Sequence, residues 1–163
     1  MSSEPLLDLR LPTSDATARL ARALAPKLGA GDVLLLEGPL GAGKTHFARA
    51  LIQERLAEEG LSEDVPSPTF TLVQTYDAGM LEIWHADLYR LTSADEVTEL
   101  GLEDAFTTAL CLVEWPDRLG DAAPASALSL RLEPEDDARR LTAHGSPDWA
   151  TRMADLRVDE GTE

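Results

Sequence analysis

The chain has 163 residues, 44% of them hydrophobic, which suits one domain with its own core and excludes a disordered segment. Its formal net charge is −16, from 14 Lys plus Arg against 30 Asp plus Glu, and Lys27 and Lys44 are its only lysines. Such a surface repels phosphate backbones and excludes broad direct contact with nucleic acid; it serves either solubility or docking onto a basic partner protein.

In chain order, Leu7-Asp8-Leu9-Arg10-Leu11 alternates as an edge strand does. Thr13 or Ser14 can cap a helix with Leu20, Leu24 and Leu28 on one stripe, ended by Gly29 and Gly31. Val33-Leu34-Leu35-Leu36 is a short apolar run, the pattern of a buried parallel strand. Gly38-Pro39-Leu40-Gly41-Ala42-Gly43-Lys44-Thr45 follows and fits G-x-x-x-x-G-K-[S/T]. Phe47, Leu51 and Leu56 continue at helical spacing, and Gly60 closes that helix. The segment 65–70 carries two prolines and cannot be regular helix. Leu72 to Tyr76 and Met80 to Ala86 read as two strands joined at Asp77-Ala78-Gly79. Ser93 begins a helix with Val97, Leu100 and Leu102 inward, and Ala109 to Val113 is a wholly apolar central strand. Leu128 to Leu132 and Arg140 to Ala143 make a hairpin around the acidic turn 133–137. Ser146-Pro147 opens a short helix near Trp149 and Met153, followed by a frayed tail over 159–163. The expected organisation is one α/β domain of P-loop type over 1–145. Residues 146–163 are its C-terminal helix and tail. The sheet is mixed and mainly parallel, with antiparallel edge strands and flanking helices.

A strand, a Gly-rich turn and a helix form the arrangement that binds nucleoside triphosphates. Glycines let backbone N–H groups converge on phosphates, and the helix N-terminus adds free donors and partial positive charge. Lys44 then reaches the β- and γ-phosphates, and the Thr45 hydroxyl binds Mg²⁺. Such a loop needs a carboxylate on the metal or on the attacking water. Two strand ends supply candidates, Glu114 after Leu110-Cys111-Leu112-Val113 and Asp87 after Trp84-His85-Ala86. His85 is either a base or a hydrogen-bonded strand residue. Thr69 is either a switch threonine on the metal or γ-phosphate, or a turn residue. The lone Cys111 excludes an intrachain disulfide and a Cys-rich zinc site, and reads as a small core residue. No apolar run approaches the roughly 20 residues of a membrane span, and Met1 to Pro5 lacks a signal-peptide pattern, so a cytoplasmic protein without membrane contact is expected.

Four segments occur in order: Gly41-Ala42-Gly43-Lys44-Thr45, Ser67-Pro68-Thr69-Phe70-Thr71-Leu72-Val73, His85-Ala86-Asp87-Leu88-Tyr89-Arg90-Leu91 and Leu112-Val113-Glu114-Trp115-Pro116. Together they resemble the TsaE (YjeE) family, bacterial ATPases of tRNA threonylcarbamoyladenosine synthesis, over about residues 5–145. The resemblance implies a small P-loop domain with ATP and Mg²⁺ as cofactors. It implies nucleotide contacts from Gly38, Leu40, Gly41, Ala42, Gly43, Lys44, Thr45, Thr69, Trp115 and the late Arg139. Thr45, Glu114 and Asp87 are then the metal set, with Lys44, Asp87 and Glu114 catalytic. The implied partners are TsaB and TsaD, of which TsaD modifies adenosine 37 of tRNAs reading codons that begin with A; tRNA is met only indirectly. The chain departs from the family pattern at Pro39, where an acid is usual, and at His46, where Thr is common. The rival readings are a small-molecule kinase and a nucleotide-dependent binding module. A GTPase is excluded by the absence of any asparagine for guanine recognition.

Overall fold

The computed structural model describes residues 5–39, 41–61, 65, 73–91, 95–154 and 156, apart from the side chains of Val97 and Thr98. Its strands are β1 (Leu7–Leu11), β2 (Val33–Glu37), β3 (Val73–Ala78), β4 (Leu81–Asp87), β5 (Leu110–Glu114), β6 (Leu128–Glu135) and β7 (Ala138–His144). The helices are α1 (Ser14–Leu24), α2 (Lys44–Glu58), α3 (Asp95–Leu100), α4 (Leu102–Thr108) and α5 (Pro147–Arg152). The strands form a single sheet in the order β1-β7-β6-β2-β5-β4-β3. Its centre is parallel, through β6–β2, β2–β5 and β5–β4. Both margins are antiparallel, through β1–β7 and β7–β6 on one side and β4–β3 on the other.

The central strands are apolar on both faces because helical turns cover both. Leu34, Leu36, Leu110 and Leu112 pack with α1 and α2, while Val33, Leu35, Cys111 and Val113 pack with α4 and the 3₁₀ turn after β5. Burial pushes the Cys111 thiol up to about 12, so it stays an uncharged core residue. The C-terminal α5 adds to the first layer. Trp149 is buried and its Nε1 donates to the Ser126 carbonyl at 2.8 Å, while Arg152 grips Asp32 at 2.6 and 2.9 Å.

Most sequence expectations meet their elements, with instructive shifts. Thr13 is the cap, accepting from the Ala16 N–H at 3.1 Å. Helix α1 ends at Leu24, not at Gly29, because Pro26 allows only a 3₁₀ turn over Ala25–Lys27; Leu28 remains buried but is extended. The first hairpin turns at Gly79-Met80, two residues later than expected, where Ala78 faces Leu81. The helix expected after Ser93 is two helices, broken at Gly101 with φ +82°. The second hairpin is longer than expected and turns at Asp136-Asp137. Leu72, Ser93, the proline-rich segment 66–72 and the tail 159–163 lie outside the described residues, as does the inward placement expected of Val97.

Candidate functional site

Register brings the site together. Leu36 of β2 and Asp87 of β4 both stand level with Glu114 of β5, so three adjacent parallel strands end at one height. Residues alternate across a strand, so His85 and Asp87 share one face of β4 with Ile83, the face covered by α2. The glycine-rich loop leaves β2 at that same edge and feeds directly into α2. Carboxyl ends of parallel strands are where open α/β sheets receive ligands.

Two glycines make the loop possible. Gly38 has φ +140°, and a Cβ there would lie 2.1 Å from the Leu132 carbonyl oxygen. Gly43 caps α2 at φ +104°, a conformation that L side chains rarely adopt. The first N–H groups of the 15-residue α2 face the loop, giving donors and partial positive charge for an anion. Arg139, from β7, braces the loop by donating to the Gly41 and Ala42 carbonyls, both at 3.1 Å.

A cavity of about 320 Å³ opens over this edge, lined by Gly41, Ala42, Gly43, Lys44, Thr45, His46, Asp87, Glu114 and Trp115. It thus unites most of the residues expected from sequence. Arg139 lies across the loop, on a smaller cavity of about 190 Å³ that it shares with Thr13, Ser14 and His46. Gly38 faces a third, wider cleft beside Glu37, Trp115 and Arg131. Leu40 and Thr69 lie outside the described residues.

Lys44 is only 5% exposed, yet no described carboxylate forms an ion pair with it. Its ammonium donates to the Gly38 carbonyl and, at 3.3 Å, to that of Pro39, and lies 3.8 Å from the centre of the Trp115 ring. Burial lowers its pKa, partly offset by the charges of Glu114, Asp87 and Asp117. Trp115 is held in a left-handed conformation, φ +59°, rare for a bulky residue. Its ring meets Tyr89 at 4.8 Å, which fixes its face toward Lys44.

Two acids, Asp87 and Glu114, line the same cavity as Lys44. The Thr45 hydroxyl is 2.8 and 2.9 Å from the two oxygens of Glu114, which is 2% exposed. The far oxygen of Glu114 also meets His85 Nε2 at 2.7 Å, and His85 is fully buried. Asp87 accepts from the Tyr89 N–H at 3.0 Å. Burial raises its pKa; the Tyr89 N–H lowers it, the Glu114 charge raises it further, and His85 and Lys44 oppose that. One hydroxyl and two carboxylates are hard oxygen donors, suited to Mg²⁺ when phosphates complete its shell. Among the described residues no three His, Cys, Asp or Glu side chains cluster as a metal cage. Of His85's two sequence readings the structure selects the hydrogen-bonded one, and its engagement of Glu114 was not foreseen. The signal was its spacing of two from Asp87 on a strand, which puts both on the acid-bearing face.

No helix among the described residues is long and apolar enough to cross a membrane. The family model for threonylcarbamoyl adenosine biosynthesis protein TsaE matches residues 11–142. A tRNA threonylcarbamoyladenosine biosynthesis protein TsaE of Rickettsia conorii is 40% identical over 131 residues, covering 80% of this chain and 73% of that protein. Its namesake in Bacillus subtilis is 36% identical over 138 residues, covering 83% and 84%. The crystal structure of Bacillus subtilis YdiB superposes with a TM-score of 0.75 at 29% identity, covering 92% of this chain and 93% of that one. With a family model matching residues 11–142 and a relative 40% identical over 80% of its length, this chain belongs to the TsaE family of tRNA threonylcarbamoyladenosine biosynthesis proteins.

Proposed function

We propose that the chain is a magnesium-dependent ATPase that serves threonylcarbamoylation of adenosine 37 in tRNAs reading codons that begin with A. It acts on a TsaB–TsaD complex and does not grip tRNA itself. One observation carries the ATP reading: Lys44 is buried at a helix N-terminus with no described carboxylate paired to it, on the same cavity as the Thr45–Glu114 hydroxyl–carboxylate pair. A buried ammonium whose described contacts are carbonyls and an aromatic face is costly unless an anion completes its shell. Triphosphate oxygens do so, with the loop N–H groups and Lys44 as donors.

Bound Mg²⁺ would supply Lewis-acid stabilisation of charge on the transferring phosphoryl group. Thr45 and Glu114 would hold it. Asp87 stands one strand away, level with Glu114, placed to hold metal-bound water or orient the attacking one. Arg139 spends its donors on loop carbonyls and so keeps the cradle's shape. No described arginine lines the cavity around Lys44. Hydrolysis by the isolated chain is therefore slow, and the partner complex supplies a cation or orders the segment 67–71. A supplied arginine contributes about 10³–10⁵ in related systems.

The net charge of −16 supports the indirect route to tRNA, since strong phosphate-backbone binding needs several free cations and one of two lysines is committed to the loop. The test is the ATPase rate of the pure chain with and without TsaB and TsaD, beside a tRNA anisotropy titration at near-physiological salt. Slow turnover that rises with partners, and no submicromolar tRNA binding, are expected. Fast turnover indifferent to partners, or tight tRNA binding by the chain alone, overturns the reading.

A further inference from the structure

We infer that His85 is the positioning residue for Glu114: it fixes the carboxylate so that one oxygen stays turned to Thr45 and the metal position. This rests on the Mg²⁺–ATP reading above and adds a residue to it. Glu114 is almost fully buried at a strand end, and its described hydrogen-bond partners are the Thr45 hydroxyl and His85 Nε2. The two partners differ in their place relative to the cavity. Thr45 lines it, and its hydroxyl has lone pairs to offer a metal while its O–H donates to Glu114. His85 sits a strand away, at 2.7 Å and fully buried, and does not line the cavity. An ionised carboxylate can only accept, so with Glu114 in that form His85 Nε2–H is the donor of this contact.

The geometry also separates His85 from a chemical role. Its ring does not line the cavity that holds Lys44, Thr45, Asp87 and Glu114. Its Nε2 is spent on Glu114, and its Nδ1 is buried without a partner among the described residues. It therefore touches no reacting atom and acts through Glu114. The β4–β5 register supplies the reach: His85 stands level with Leu112, two residues before Glu114 on the neighbouring strand, on the same face. Groups that hold a metal ligand in this way typically matter about 10–100-fold in metal affinity or activity.

The test compares wild type with His85→Leu and His85→Gln. Gln can place an amide N–H near where Nε2 stood; Leu cannot. Mg²⁺ is titrated calorimetrically into protein saturated with a non-hydrolysable ATP analogue, and analogue binding is measured separately in EDTA. His85→Leu should weaken Mg²⁺ binding about 10-fold or more, lower kcat, and leave metal-free analogue binding as in wild type; His85→Gln should recover most of the loss. Wild-type Mg²⁺ affinity in His85→Leu overturns the proposal, as does a Gln variant that folds normally yet is as impaired as Leu. If His85→Leu fails to fold, Gln is compared with the shorter Asn: retention by Gln and loss by Asn supports the role, and equal behaviour overturns it. A wild-type chain that takes up no analogue in EDTA or Mg²⁺ overturns both this and the reading beneath it, whereas normal wild-type uptake with an indifferent His85 overturns this alone.

Discussion

The antiparallel margin β6–β7–β1 and the parallel centre β2–β5–β4 both carry charge, and they handle it oppositely. On the margin, Arg131 pairs with Glu37 at 3.2 Å and Glu133 at 2.9 Å, and Arg140 with Asp8 and Glu135, both at 2.8 Å, all on exposed faces. Each ion has a partner and water besides. In the centre, β2 and β5 are apolar up to their last residues, and at that edge Lys44, His85, Asp87 and Glu114 are all buried. Lys44 and Asp87 are both shifted by burial toward their neutral forms. Paired exposed charges contribute little and are interchangeable. Buried, under-partnered ones persist only where a surrounding fold holds them, and such clusters mark functional sites.

The comparison breaks most sharply at the core that supports the buried charges. Leu36→Ala, one residue before the end of β2 and fully buried, should cost about 2–5 kcal/mol in urea denaturation. A loss no larger than that of an exposed margin substitution would deny the centre its special standing. Lys44→Ala should lower ATP turnover by about 10²–10³ without lowering the thermal midpoint, because it removes a buried ammonium and not a packing group. A variant that unfolds instead would make Lys44 structural.

Asp87→Asn sharpens the contrast through pH. Burial raises the folded pKa of Asp87 above its ordinary value near 3.9. Between those two values the folded chain binds more protons than the unfolded one, so stability falls as pH rises through that window. At neutral pH the ionised Asp87 is a net cost. The Asn variant should therefore melt higher than wild type at neutral pH, lose that advantage below about pH 4, and hydrolyse ATP poorly. Melting curves at both pH values decide it; a lower midpoint at neutral pH contradicts it. The smallest effect belongs to the margin. Arg131→Ala should change stability by about 0.2–1 kcal/mol at low salt and by nothing measurable near 1 M, where screening is complete over a few ångströms. A larger, salt-insensitive loss would mean that the exposed ion pairs also support the fold.

Much of this was legible along the chain because its signals are short-ranged. Gly38 and Gly43 are needed for left-handed or crowded backbone within one turn, Thr13 bonds a neighbour three residues on, and β2 and β5 are apolar because both faces are covered. Lys44, Thr45, Asp87 and Glu114 were identifiable as candidates from motif and strand ends. Local signals competed at Pro26, which stopped α1 before its glycines, and at Gly101, which split a periodic helix.

The tertiary structure alone decided that β2 lies between β5 and β6, that Asp87 and Glu114, 27 positions apart, end level, and that His85 reaches Glu114. It also turned Trp115 over Lys44 and brought Arg139 to the loop carbonyls. Strand order and register arise from contacts between segments remote in sequence, and desolvation depends on what those segments bury. A residue's type and its neighbours in the chain set what it can do; which charges lose their water, and against which partners, is a property of the assembled sheet.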